Sequence, residues 1–485
     1  MRKKIILVIS TILPYFLVFF ASIYRPFDAD LGWHLKYGEY FVQTGEVLRD
    51  NTFATEMADF KWANIAWGTD VLTYLLYSLG GFFALSIATA IVVTVTFFFF
   101  AKAFRLDYWQ KALIFPFLLF LQHPVNQISW RGQLLSMLFL GIFFYFLERY
   151  RNGNKYAIYA VPIVFGLWAN IHGQFILGLG ILSLWTISVL SVKFYKERTF
   201  SSSLKRETVT LGIVALLSFL LPVIHPFGIQ VYYDALIHFH NPLLLQIAEY
   251  VPHEELSLSW LNHIGIAVVI CIGIITLFIK KQLILSTPLL IITVFLYILS
   301  LSVKRYTWTM YFVAIPLIKP TIDFLRPPGK YKSFLIGTVV LIVCLFVTVV
   351  LKYPFDQYRN MNWDIYCAEY YDCSSAGVKA LEKYYIPGKT MTLYNWGGYL
   401  IWNYPQIKPS TDGRMHLWED EKGYSAFRHD YNIEQNISDV QYSKYEVVYT
   451  SKAKPIAVHL EELAREGKWK QVYNDRTSVI YTRLP

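Results

Sequence analysis

The sequence predicts an all-α polytopic membrane domain of about eleven transmembrane helices, followed by a small α/β domain outside the membrane. Three observations carry this prediction. Of the 485 residues, 55% are hydrophobic and only 16% are charged. Many of the apolar residues fall in blocks of about 17–25, the length that ~30 Å of hydrocarbon demands of a helix. The last stretch, 352–485, instead mixes helical and strand-like patterns and carries equal numbers of basic and acidic residues.

The first block, Ile5–Phe20, follows Met1-Arg-Lys-Lys and precedes Ile23-Tyr-Arg-Pro. With no small-residue cleavage box it reads as a retained signal anchor, and the basic residues before it place the N-terminus in the cytoplasm. Spans are predicted near 4–23, 68–101, 111–123, 133–148, 156–172, 174–193, 208–224, 260–279, 282–302, 306–319 and 332–351. Alternation puts 102–111, 148–155, 193–207, 280–281 and 319–332 inside, and each of these loops is basic. The loops 24–67, 123–132, 225–259 and 302–305 then lie outside, as does the tail. The expected organisation is a multi-pass plasma-membrane domain over 1–351, whose outer loop 24–67 carries Asp28-Ala-Asp30, and an extracytoplasmic domain over 352–485. The net charge of +10 therefore sits in the membrane part, where it orients the chain toward anionic lipid. No long basic run is interleaved with aromatics, so nucleic acid is not an expected partner.

Within the tail, 374–385 is predicted helical, 389–395 a strand, 396–405 a short helix, 425–434 helical, 445–451 a strand and 456–466 a helix. The two segments "KWKQVYND" and "TSVIYTRL" read as a closing hairpin. Cys271 and Cys344 lie in apolar spans and read as inert packing residues. Cys367 and Cys373 lie outside, where an oxidising compartment favours a small-loop disulfide over a metal site. Gly397-Gly398 permits close backbone approach, and Asp412-Gly413-Arg414 reads as a turn or as part of a site. Neither has the form of a phosphate loop.

Charged and polar residues near membrane depth are costly and tend to mark function. Here they gather at the predicted outer ends of spans. Asp28, Asp30 and His34 follow the first span; Gln127, Trp130, Arg131 and Gln133 separate the third and fourth. Asn170, His172 and Gln174 separate the fifth and sixth. His225, Asn241 and Glu249 lie in the long outer loop, and Lys304 and Arg305 precede the tenth span. Each has a plainer reading: Asp28 or Asp30 as a helix cap, the histidines as hydrogen-bonded interfacial residues, the cations as snorkelling anchors. Together they suit sugar transfer from a membrane-held donor, because nucleotide sugars and ATP are cytoplasmic. A carboxylate would serve as general base for an acceptor hydroxyl, and cations would meet the charge that develops on a departing lipid phosphate.

"DADLGWHLKYGEYFVQTGEV" with Trp62 and Trp67, "WRGQLLSMLF", "WANIHGQFILGL", "HPFG" and "YNWGGYLIW…TDGR" together resemble the GT-C superfamily of polytopic glycosyltransferases. The resemblance is to an uncharacterised bacterial branch, related to the oligosaccharyltransferase catalytic subunit and to protein O-mannosyltransferases. It implies an inverting transferase that uses a polyprenyl-phosphate sugar donor and a glycan, lipid or protein acceptor of the cell envelope. Asp30 would be the base or a ligand of divalent Mn or Mg, with Asp28 and His34 shaping the acceptor side. Arg131, Lys304 and Arg305 would hold the donor phosphate. Trp130, Gln133, Asn170, His172, His225, Asp412 and Arg414 would bind substrate, the tail capping the site or gripping the acceptor. Two departures stand out. Arg131-Gly132-Gln133 replaces the Arg-Pro-Gln usual in that branch, and no WWDYG-type motif is present, which argues against transfer to peptide asparagine. The rival readings are a transporter or flippase for envelope lipids, which would want charges at mid-membrane and broken helices in repeated halves, and a non-catalytic envelope-assembly protein.

Overall fold

The computed structural model describes residues 2–122, 129–237, 244, 245, 247 and 249–485. Gln127 and Asn241 lie outside the described residues. Contacts divide the chain into two compact units, one of residues 1–24, 86–236 and 245–356, the other of 25–85, 237–244 and 357–485. The sequence grouped the first outer loop with the membrane helices; by contacts it belongs with the tail.

The first unit is helical. Among the described residues, six helices are long and apolar enough to cross a membrane: Trp67–Ala103, which begins in the other unit, Gly132–Arg151, Phe175–Glu197, Ser202–Val223, Leu258–Ile279 and Lys330–Lys352. Each coincides with an expected span. The shorter apolar helices Val8–Ala21, Ala157–Ala169 and Ser286–Ser302 fall on three more of the expected segments. Large apolar side chains such as Phe346, Val350 and Ile275 point outward, as a hydrocarbon solvent allows. Inside, the Phe97 and Phe100 rings close on Phe312 at 4.9 and 4.8 Å between centroids. Cys271 is exposed on the Leu258–Ile279 helix, so it is not the packing residue the sequence suggested.

The second unit is built on a four-stranded sheet of order β1-β2-β4-β3, with β1 Thr390–Thr392, β2 Val447–Ser451, β3 Trp469–Asn474 and β4 Ser478–Arg483. β1 runs parallel to β2, while β4 is antiparallel to both β2 and β3. Strand side chains alternate between faces. Val447, Tyr449 and Ile480 bury themselves with Val378, Leu381, Trp396 and Leu400 on one face. Val448, Val479 and Tyr481 pack with Ile433, Ile456, Leu460 and Leu463 on the other. The result is a sheet between two helical layers, with every predicted element of the tail present. Cys367 and Cys373 are bridged, closing the small loop after the Trp363–Tyr371 helix.

The segment 25–66 joins this unit through glycine. The Leu31–Thr44 helix crosses the Gly397–Asn403 helix so closely that a Cβ on Gly32 would overlap the Gly398 carbonyl, and one on Gly398 would overlap the Ala29 carbonyl. Around this crossing Trp33, Tyr37, Trp62, Ile401, Met415 and Trp418 form a shared core. Gly32→Ala or Gly398→Ala is therefore expected to cost about 1–3 kcal/mol or more, as overpacking does. Thermal unfolding of the purified protein checks this against Gly180→Ala, where a methyl would meet open space.

Candidate functional site

The chain reaches the Leu31–Thr44 helix through Asp28-Ala29-Asp30, and tertiary contacts fix that entry. The Asp28 amide donates to the Tyr366 hydroxyl at 2.9 Å, and the same hydroxyl donates back to the Asp28 carbonyl. The Asp28 carboxylate accepts the Asp30 amide at 3.2 Å. Asp30 occupies the N-cap position, yet its backbone is helical (φ −86, ψ −11) and its side chain makes no capping hydrogen bond. An N-cap that earns its place by capping sits in the β region and accepts an N–H from the first turn. Asp30 does neither.

Its carboxylate instead rests on Gly413, where a Cβ would overlap it. Burial, then the like charge of Asp28, push the Asp30 carboxyl up to about 7; His34 opposes them. His34, one turn on, donates from Nδ1 to Asp70 Oδ1 at 2.5 Å, and Asn64 donates to Asp70 Oδ2 at 2.5 Å. Burial disfavours the imidazolium, but Asp70 outweighs it and the ring is held at about 9, protonated at neutral pH. Asp70 is fully buried in the first turn of the Trp67–Ala103 helix. Sequence reasoning missed it, although an acid just inside a long apolar run was a visible signal.

The TDGR segment forms a turn held by a buried ion pair, the plainer of the two readings its sequence offers. Arg414 donates from Nε and Nη2 to the two oxygens of Asp412 at 2.7 and 2.6 Å, and from Nη2 to Asn51 at 2.8 Å. Both side chains are 0% exposed, and the guanidinium lies among Phe53, Trp62 and Trp418. The pair braces the turn that presents Gly413 to Asp30, and Arg414 Nη1 is buried without a hydrogen-bond partner.

A second cluster forms within the helical unit. Arg131 donates from Nη1 to Glu249 Oε1 at 2.5 Å, and Arg305 Nη1 lies 3.3 Å from Oε2 of the same carboxylate. Arg305 also donates to the Tyr250 hydroxyl at 2.7 Å and lies 3.5 Å from His172 Nε2. Backbone pairing sets this up: the amides of Arg305 and Lys304 donate to the carbonyls of Glu249 and Val251. Gln133 donates to the Arg305 carbonyl at 3.1 Å, and Ser136 bridges His172 and Trp168 at 2.8 Å each. Burial raises the Glu249 carboxyl, but the Arg131 and Arg305 charges prevail and hold it at about 2.

Trp130 is buried. Asn170 donates to the carbonyls of Gly166 and Ile224 at 2.9 and 3.2 Å, closing a helix end. His225 Nδ1 accepts the Phe227 amide at 3.2 Å. Among the described residues no three His, Cys, Asp or Glu side chains are grouped to hold a metal ion, Asp30 included.

The polytopic helical fold is similar to those of solved membrane proteins that share little sequence with it. The chain is similar to the Archaeoglobus fulgidus oligosaccharyltransferase tethered to an acceptor peptide containing the NVT sequon (TM-score 0.53, 12% identity, 93% of this chain and 69% of that one). It is also similar to ArnT from Cupriavidus metallidurans bound to undecaprenyl phosphate (TM-score 0.52, 11% identity, 100% of this chain and 98% of that one). No protein-family model and no curated protein matches the sequence.

Proposed function

We propose that the protein is an inverting glycosyltransferase that moves a sugar from a polyprenyl-phosphate donor to a cell-envelope acceptor. The observation that carries this is the Asp30 carboxylate: placed at a helix start, unused as a cap, and raised toward neutrality by burial and Asp28. A general base works best with a pKa near the working pH. In this reading Asp30 takes the proton of the acceptor hydroxyl as that oxygen attacks the anomeric carbon. The bond to the donor phosphate breaks, and the departing phosphate keeps the electron pair. The Arg131 and Arg305 guanidiniums, with Lys304 beside them, are the groups to meet that charge. Their fork geometry suits phosphate oxygens, and Glu249 shows them already gripping an anion. The polyprenyl-phosphate donor is supported by the lipid bound to the ArnT neighbour.

Two measurements test this reading. Transfer should rise with pH through about 7 as Asp30 loses its proton, and fall above about 9 as His34 loses its charge. Asp28→Asn removes a like charge that raises Asp30, so the rising limb should move to lower pH. An unmoved limb would mean that another group is the base.

The basic loops favour eleven spans, a cytoplasmic N-terminus and an external tail. Reporter fusions after Lys155 and Lys330 are expected to read cytoplasmic, and a fusion near Ser410 external. A cytoplasmic signal at Ser410 would remove the case for a lipid-linked donor.

A further inference from the structure

Among the described residues no carboxylate lies within ion-pair distance of Lys102, Arg105 or Arg149, and the three line one open groove of about 560 Å³ with Asn152, Phe98 and Tyr145. The cations come from the ends of two helices, Trp67–Ala103 and Gly132–Arg151, and the turn after the first. Nearby cations behave differently. Arg151 pairs with Glu148 at 2.7 Å, and Arg326 with Asp107 and Asp323 at 2.6 and 2.7 Å.

Helix capping does not account for the three. The carbonyls of Phe104 and Arg105 accept Lys319, and that of Glu148 accepts Asn152. Lys102 instead lies over the Phe98 ring at 5.6 Å, and Arg149 over Tyr145 at 5.7 Å, which holds both charges at the mouth of the groove. Arg105 is kept there by a left-handed backbone (φ 52), a conformation a non-glycine residue adopts at some cost. The charge of Arg105 reaches Glu148, but that carboxylate is already paired with Arg151, so three like charges face one groove and favour an anion between them.

We propose that this groove binds the phosphodiester headgroup of an anionic lipid, the aromatic rings contacting its glycerol and upper acyl carbons. Basic pockets between membrane helices recognise such headgroups. The proposal stands on this groove alone and does not depend on the transferase reading.

The test is native mass spectrometry of the full chain, purified in detergent with either phosphatidylglycerol or phosphatidylcholine of the same acyl chains. The wild type is expected to retain phosphatidylglycerol in clear preference. The triple variant Lys102→Gln, Arg105→Gln, Arg149→Gln should lose that preference, by about five-fold for each charge removed. Should the triple variant not fold, Arg149→Gln alone should weaken retention while Arg149→Lys keeps it. Equal retention of the two lipids, or retention unchanged in the glutamine variants, would overturn the proposal. Displacement of the lipid by inorganic phosphate would overturn it too, by making the groove a site for a free anion.

Discussion

Asp30→Asn is expected to lower sugar transfer at least ~100-fold, the low end for losing a general base, with expression and folding unchanged. Asparagine matches aspartate in size and can cap a helix, so a capping role would survive the change. The Asp30 side chain makes no cap hydrogen bond, however, and its charge sits beside that of Asp28. Its carboxyl is raised from 3.8 to about 7 in the folded chain, so its ionisation opposes folding. The sign follows from linkage: stability tied to this group is lost as pH rises from the unfolded value through about 7. Asp30→Asn should therefore be as stable as the wild type at pH 5 and no less stable at pH 8. A variant that folds well and transfers nothing separates chemistry from structure. Full activity in Asp30→Asn, with a stability loss only in Asp30→Ala, would return the residue to helix capping.

Arg305→Ala and Arg131→Ala are each expected to lower turnover about 10²–10³-fold, as removal of a donor to a developing oxyanion does. Both changes also strip a partner from the half-buried Glu249, which alone would destabilise the chain. Adding Glu249→Gln distinguishes the two effects. In Arg131→Ala with Glu249→Gln no carboxylate is left unpaired, so stability should recover while turnover stays low. Lysine at either position keeps the charge and loses the fork, and should weaken transfer less than alanine. If the Glu249→Gln background restores turnover along with stability, the arginines serve only to hold Glu249.

Much of this architecture was legible because it is local. The apolar blocks placed the six long helices to within a few residues, and alternation in "EVVYTS" and "TSVIYT" placed β2 and β4. Five residues between Cys367 and Cys373, in a segment expected outside, sufficed for the disulfide. The Asp28-Ala-Asp30 segment stood out because two acids beside an apolar run are costly without a reason. What escaped was long-range. His34 meets Asp70 across 36 residues, and nothing in either segment's periodicity names the other. Glu249 was noticed as an outer-loop residue, but only folding shows it between Arg131 and Arg305. The union of the first loop with the tail depends on Gly32 and Gly398, where the informative feature is a missing side chain. Arg414 could be read from sequence as part of a turn or of a site, and only the fold shows it buried against Asp412 and Asn51.

The most direct test of the account is the fate of a lipid-linked donor. The purified protein is placed in vesicles containing polyprenyl-phosphate sugars labelled in the sugar, with a cell-envelope extract as acceptor, and free polyprenyl phosphate is measured. The account predicts that polyprenyl phosphate is released as label enters the acceptor, and that Asp30→Asn abolishes both. Labelled sugar transferred from a soluble nucleotide donor instead, with the lipid-linked pool untouched, would contradict it.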